Sequence, residues 1–235
     1  FIERKGSKTS LICTKGFSDI LEIGNEMRYD IYDLLMELPE PIVKRNNRFE
    51  IDERITAEGK IYKKIDLSKI DNITNNIIKN KIESVGICFL HSYKNNSHEN
   101  KLKNIIKSKL KDISISVSSE VSPEIREYER ISTTVCNAYV QPLVSKYLKK
   151  LIIEQKKINL NNEFSLMLSS GGITDIKTAI DFPINLVESG PAAGVLSAIY
   201  YGSQIKEKNI LSFDMGGTTA KMGLIKNGKP TIADN

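Results

Sequence analysis

The sequence predicts an α/β architecture, and three observations carry that expectation. Two nearly continuous apolar runs, Ser84 to Leu90 and Phe164 to Leu168, read as strands covered on both faces. Elsewhere apolar residues recur at helical spacing, as in Leu102, Ile105, Ile106 and Leu110. The stretch from Ser84 to Val117 therefore reads as a strand–helix–strand unit.

In chain order, Ser10 to Thr14 is a short apolar strand, followed by Lys15-Gly16 and a helical pattern on Phe17, Ile20, Leu21 and Gly24. Pro39 and Pro41 then interrupt the chain. Arg48 to Ile55 and Lys60 to Ile65 alternate, and Ala57-Glu58-Gly59 between them suits an antiparallel hairpin. Leu67, Ile70, Ile73, Ile77 and Ile78 predict an amphipathic helix over 67–79. Ser97 is placed to cap the next helix, and Ile113 to Val117 is the returning strand. A long helix is expected from Glu124 to Lys157, bent near Pro142. The strand at 164–168 leads into Ser169-Ser170-Gly171-Gly172, a position where open α/β sheets hold ligands. A domain boundary is expected near Ser122-Pro123, giving 1–122 and 123–235.

Composition narrows the function classes. With 235 residues, 40% hydrophobic and 27% charged, the chain can bury a sizeable core and does not read as disordered. The net charge of +5 is spread along the chain, so it reads as solvated surface and not as a nucleic-acid site. Cys13, Cys88 and Cys136 are far apart and form no C-x-x-C pair, which predicts a reducing, cytoplasmic compartment and no cysteine metal site. No apolar stretch reaches the roughly 18 residues of a membrane span. Phe1 to Gly6 lacks the basic opening and apolar core of an export signal. A first residue other than Met, and a strand pattern running to Asn235, make both ends read as cut. P-loop, G-x-S-x-G and H-E-x-x-H patterns are absent, which excludes the corresponding ATPase, hydrolase and zinc chemistries.

The segment richest in chemistry runs from Asn209 to Ile225. An apolar strand delivers Asp214 to its C-terminal end, and Gly216-Gly217 permits a turn whose N–H groups can approach phosphate oxygens. Thr218 and Thr219 add hydroxyl donors, and Asp214 is the residue to hold Mg²⁺ through water. A second strand, Ala220 to Ile225, leads away to the turn dipeptide Asn227-Gly228. Taken alone, Gly216-Gly217 also fits a plain hairpin turn with an acidic neighbour. Upstream, Ser189-Gly190-Pro191-Ala192-Ala193-Gly194 opens a helix with small residues on successive turns. Small residues allow close approach to another backbone, as at a hinge between lobes.

This order of small-residue helix, apolar strand and Asp-x-Gly-Gly-Thr hairpin resembles the second half of the nucleotide site in the actin-like ATPase superfamily. A finer resemblance, to the hydantoinase A/5-oxoprolinase family, covers essentially the whole chain. It rests on Thr14-Lys15-Gly16-Phe17-Ser18-Asp19-Ile20-Leu21-Glu22-Ile23-Gly24, Tyr29-Asp30-Ile31-Tyr32-Asp33-Leu34, Pro39-Glu40-Pro41 and Arg48 to Arg54. Arg126 to Thr134, Asn137-Ala138-Tyr139-Val140, Ser169 to Gly172, Ser189 to Gly194 and Phe213 to Thr219 complete the series. The resemblance implies an incomplete actin-like (ribonuclease H-like) α/β fold and the cofactors ATP and Mg²⁺. It implies a phosphate site of Asp214, Gly216, Gly217, Thr218 and Thr219, with Gly190 at the interlobe helix. It further implies phosphorylation of a small cyclic amide at its carbonyl oxygen, a hydantoinase B-type partner subunit or fused domain, and an oligomeric assembly. An acetone carboxylase-type subunit that activates a ketone is the first alternative, and a non-catalytic ATP-binding switch on the same fold is the second. The family's first phosphate loop, D-x-G-G-T-x-x-D, has no counterpart in residues 1–235, so the isolated chain is expected to be inactive.

Other polar residues read as less informative. Arg126, Glu127, Glu129 and Arg130 fit a salt-bridged helix face better than a phosphate or substrate contact. Of the two histidines, His91 ends a strand and is the one placed to face a cleft, although loop histidines are commonly just solvated.

Overall fold

The structure is a computed structural model describing residues 1–26, 30, 32–160, 164–216 and 219–231. It divides into two compact units, Phe1–Lys150 and Leu151–Asn235.

The first unit contains β1 (Thr9–Thr14), α1 (Ile20–Ile23), β2 (Arg48–Ile51), β3 (Arg54–Ile55), β4 (Ile61–Lys63) and α2 (Ile70–Lys79). It continues through β5 (Ser84–Cys88), α3 (Ser97–Lys109), β6 (Ser114–Val117), α4 (Ser118–Val121) and most of α5 (Glu127–Lys157). Four strands form one parallel sheet in the order β2-β1-β5-β6. Every position of β1 and β5 is buried, as the unbroken apolar runs require when helices cover both faces. Side chains alternate across the sheet. Ile12, Val85 and Ile87 pack with Ile73 and Ile77 of α2 and with Leu102 and Ile106 of α3. Leu11, Cys13 and Cys88 on the other face pack with Ile131 and Val135 of α5. Each fully buried Leu or Ile contributes about 1.5–3 kcal/mol relative to exposure.

Three local expectations shift. Arg48 to Ile55 is not one hairpin strand: β2 adds in parallel to the edge of the sheet, and only β3 pairs antiparallel with β4. The break falls at Glu53, whose carboxylate turns into the interior to meet Thr14 and His98. α2 begins at Ile70 because Asp66 Oδ1 accepts from Ser68 N at 2.9 Å, holding a turn before it. Ser97 is the first residue of α3 rather than its cap, and Asn95 Oδ1 accepts from its N–H at 3.1 Å. α5 continues through Pro142, and Ser122-Pro123 lies between α4 and α5.

The second unit holds β7 (Ser165–Met167), β8 (Ile173–Asp175), α6 (Ile176–Asp181), α7 (Ser189–Gln204), β9 (Ile210–Met215), β10 (Ala220–Lys226) and β11 (Lys229–Pro230). The apolar run at 164–168 is not a doubly covered strand here. β7 pairs antiparallel with β8 in a two-stranded ribbon, and its residues are exposed or half-buried. Ser169 to Gly172 therefore forms the ribbon's turn, with Leu168 N donating to Gly172 O at 2.8 Å and Gly171 at φ +87°. β9 and β10 pair antiparallel, and α7 lies on one face of that pair. Two glycines permit the approach: a Cβ on Gly202 would collide with Ile210, and one on Gly223 with Val195.

Candidate functional site

The Asp-x-Gly-Gly-Thr segment forms the strand–turn–strand that the sequence pattern called for. β9 carries Asp214 opposite Lys221 and ends at Met215 opposite Ala220. The turn is closed by Gly216 N donating to Thr219 O at 3.0 Å. Gly217 and Thr218 lie outside the described residues. Asp214, Gly216 and Thr219 are all exposed, and among the described residues Asp214 has no ion pair or hydrogen-bond partner.

The start of α7 reaches the same end of this unit. Lys221 Nζ, opposite Asp214, forms a 2.6 Å ion pair with Glu188 Oε2, immediately before the helix. Gly190 follows in its first turn, exposed, with no atom near the position a Cβ would take. The close approach expected of the small residues is made further along, at Gly202. A helix N-terminus, an exposed carboxylate and a glycine turn thus share one end of the unit. In general, N–H groups at a helix N-terminus favour an anion, and an exposed carboxylate suits a hard cation. Among the described residues no three His, Cys, Asp or Glu side chains cluster to ligate a metal directly.

In the first unit, buried polar groups gather at the C-terminal ends of the parallel strands. Glu53 accepts from Thr14 Oγ1 and lies 2.7 Å from His98 Nδ1, while Thr14 Oγ1 accepts from Leu90 N at 3.0 Å. Glu99 accepts from Phe89 N at 3.0 Å, Ser118 Oγ at 2.6 Å and Ser119 N at 2.9 Å. Arg130, which the sequence placed on a salt-bridged helix face, is 0% exposed. It donates to Glu124 O at 2.8 Å and Phe89 O at 3.0 Å and lies 5.5 Å from the Tyr93 ring centroid. Among the described residues, Arg126 and Glu129 fit the salt-bridge expectation, 3.5 Å apart. His91 contacts its neighbour Tyr93, and His98 is the buried histidine of the pair. Spacing held the missed signal: Glu99 precedes the buried Leu102 and Ile106 by three and seven positions, and Arg130 precedes Thr134 and Ala138 by four and eight. Burial pushes the Cys88 thiol up to about 12 and the Cys13 thiol higher still, so neither serves as a thiolate nucleophile at neutral pH.

A cavity of about 540 Å³ opens beyond the end of β1, between the loop carrying Gly16 to Asn25 and the first turn of α5. A larger space of about 1280 Å³ adjoins it, sharing Ile23, Gly24, Asn25 and Tyr128.

Comparison with known proteins decides the family. The family description "Hydantoinase/oxoprolinase N-terminal region" matches residues 1–110, and "Hydantoinase/oxoprolinase" matches residues 130–235. The chain belongs to the hydantoinase/oxoprolinase family. An uncharacterised protein of Methanocaldococcus jannaschii is 45% identical over 97% of this chain and 33% of its own length. Caprolactamase subunit alpha of Pseudomonas jessenii is 30% identical, over 99% of this chain and 34% of the subunit. The crystal structure of that ATP-dependent caprolactamase aligns with a TM-score of 0.84 over 95% of this chain and 33% of the other. Acetone carboxylase, solved without nucleotide in a study of ATP-dependent acetone carboxylation, aligns with a TM-score of 0.85 at 27% identity. That match covers 98% of this chain and 34% of the carboxylase chain. The chain thus spans about a third of the length of the curated relatives it matches. The α/β, actin-like ATPase type of fold expected from the sequence is the fold these neighbours share.

Within this hydantoinase/oxoprolinase chain, two of the family-like motifs outside the β9–β10 turn gain a location. Thr14 to Gly24 and Arg126 to Thr134 are a hundred positions apart, yet residues of both line the 540 Å³ cavity. Among the described residues no helix is long and apolar enough to cross a membrane.

Proposed function

We propose that this chain belongs to the ATP-using part of an enzyme that opens a small cyclic amide, with the turn between β9 and β10 as its phosphate grip. The observation that carries the reading is the exposed Asp214, without a side-chain partner among the described residues, beside the Gly216 turn at the end where α7 begins. In this reading Gly216, Gly217, Thr218 and Thr219 donate to phosphate oxygens, and Asp214 holds Mg²⁺ through water. Gly190 keeps the first turn of α7 open, so that its N–H groups can face the same anion. Bound MgATP supplies the phosphoryl group that makes an amide oxygen a good leaving group. The chain's own residues position and neutralise, which is most of what phosphoryl transfer asks of a protein. The reading includes a hydantoinase B-type partner subunit or fused domain, an oligomeric assembly and a cytoplasmic location. The free cysteines are consistent with the last.

The likeness to acetone carboxylase supports a second reading, in which the same grip serves activation of a ketone. The two are separated by phosphate release from ATP by the whole protein to which this chain belongs, in the presence of the B-type partner. Release stimulated by 5-oxoproline, a hydantoin or caprolactam supports the first reading. Release stimulated only by a ketone with bicarbonate overturns it in favour of the second. Nucleotide binding with no substrate-stimulated release overturns both and leaves a switch.

A further inference from the structure

A polyphosphate is held more tightly where a cation offsets its charge. The elements around the β9–β10 turn carry few cations. Across α7, β9, the turn and β10 there is no arginine, and the lysines are Lys221 and Lys226. Lys226 follows Ile225, which pairs with Ile210 at the start of β9, and Lys206 and Lys208 lie in the connection that leads into that same far end. Among the described residues of these elements, Lys221 is the cation at the turn end, opposite Asp214.

Its side chain lies on the face that α7 covers. Residues two positions apart on a strand share a face, and a Cβ on Gly223 would collide with Val195 of α7. The helix runs back along this face, from Glu188 beside Lys221 to Gly202 beside Ile210. Lys221 is thereby directed to the point where α7 begins.

Glu188 stands in the N-cap position of α7 at φ +62°, a backbone uncommon for a residue other than glycine. Its carboxylate makes no capping hydrogen bond. It is engaged by Lys221 instead, with Nζ 2.6 Å from Oε2. The first turn of α7 therefore lacks a side-chain cap from that position, and a cation is tethered beside it. Both features suit an anion.

We infer that Lys221 is a further phosphate-binding residue, held by Glu188 at the turn end so that its ammonium meets the terminal phosphates of the nucleotide. The inference rests on the phosphate-grip reading and deepens it by naming the cation. The side chains of the pair are 38% and 67% exposed, so the pair adds little to stability. What the tether provides is placement, because a lysine already restrained loses less rotamer freedom when an anion arrives.

The test is calorimetric titration of the whole protein to which this chain belongs, with MgATP and with AMP, for wild type, Lys221→Met and Lys221→Arg. The expected result is a roughly tenfold loss of MgATP affinity in Lys221→Met, unchanged AMP affinity, and most of the MgATP affinity retained in Lys221→Arg. Without nucleotide the three proteins melt together, and MgATP raises the midpoint least for Lys221→Met. Wild-type MgATP affinity in Lys221→Met, a loss that Lys221→Arg shares, or an equal loss for AMP overturns the inference. If wild type binds no MgATP, the phosphate-grip reading fails and the inference with it. If Asp214→Asn loses MgATP affinity while Lys221→Met does not, the reading survives and the inference alone fails.

Discussion

The two units use similar apolar runs in opposite ways. Leu11 to Cys13 and Val85 to Cys88 lie in strands covered on both faces, within 2% of complete burial at every apolar position. Ile210 to Met215 reads much the same in sequence, yet only the face of β9–β10 under α7 is covered. Leu211, Phe213, Met215, Met222 and Leu224 share the other face, each more than half exposed. Polar groups divide likewise. In the first unit Glu53, His98, Glu99 and Arg130 are buried and bonded, whereas in the second Asp214 and Thr219 are open to solvent. Buried polar groups that satisfy one another fix a scaffold, and exposed unpaired ones remain available to a ligand. The contrast separates what holds the fold from what is left open to a ligand.

Truncation of apolar side chains is the strongest way to break this comparison. Leu102→Ala should cost about 4 kcal/mol in urea unfolding, because it empties a fully buried position beneath the sheet. Phe213→Ala, at 59% exposure, should shift stability by no more than about 0.5 kcal/mol. Equal costs at the two sites would erase the difference between the units. Next in size, Arg130→Leu should cost roughly 3 kcal/mol, since it strands the carbonyls of Glu124 and Phe89. The same denaturation series measures it, and a neutral result would return Arg130 to the salt-bridged surface role its sequence context suggests.

Smaller effects sharpen the picture of the second unit. Glu188→Gln removes an exposed ion pair with Lys221 and should change stability by about 0.5 kcal/mol or less. Its larger consequence should be weaker MgATP binding, through a looser start of α7. Asp175 caps α6 by accepting from Thr178 N at 3.0 Å and Thr178 Oγ1 at 2.7 Å. These bonds, the backbone one foremost, hold its carboxyl below the ordinary value. Its contribution is therefore present above the unfolded carboxylate pKa and is lost as pH falls through the folded one. The melting temperatures of wild type and Asp175→Ala should differ slightly at neutral pH and converge in acid.

Much of the scaffold was legible because covered strands and amphipathic helices leave periodic signatures. β1, β5, α3, β9 and β10 fall within two or three residues of their expected bounds. The run from Arg48 to Ile55 was misjudged because alternation says nothing about which neighbour a strand pairs with, and an inward Glu53 divides it. Phe164 to Leu168 was misjudged because an apolar run specifies a strand without specifying what covers it. The β9–β10 hairpin around Asp214, Gly216 and Thr219 was legible because turn chemistry is local. Asn25, Glu129 and Tyr128 were not legible as a group, since only the folded chain brings residues a hundred positions apart onto one cavity.

The central claim is that the turn between β9 and β10 grips the phosphates of ATP, and calorimetric titration of the protein with MgATP and with AMP tests it most directly. The account predicts saturable MgATP binding, much weaker AMP binding, and at least a roughly tenfold loss of MgATP affinity in Asp214→Asn with the fold intact. MgATP binding that ignores the Asp214 substitution, or that AMP matches, would contradict it.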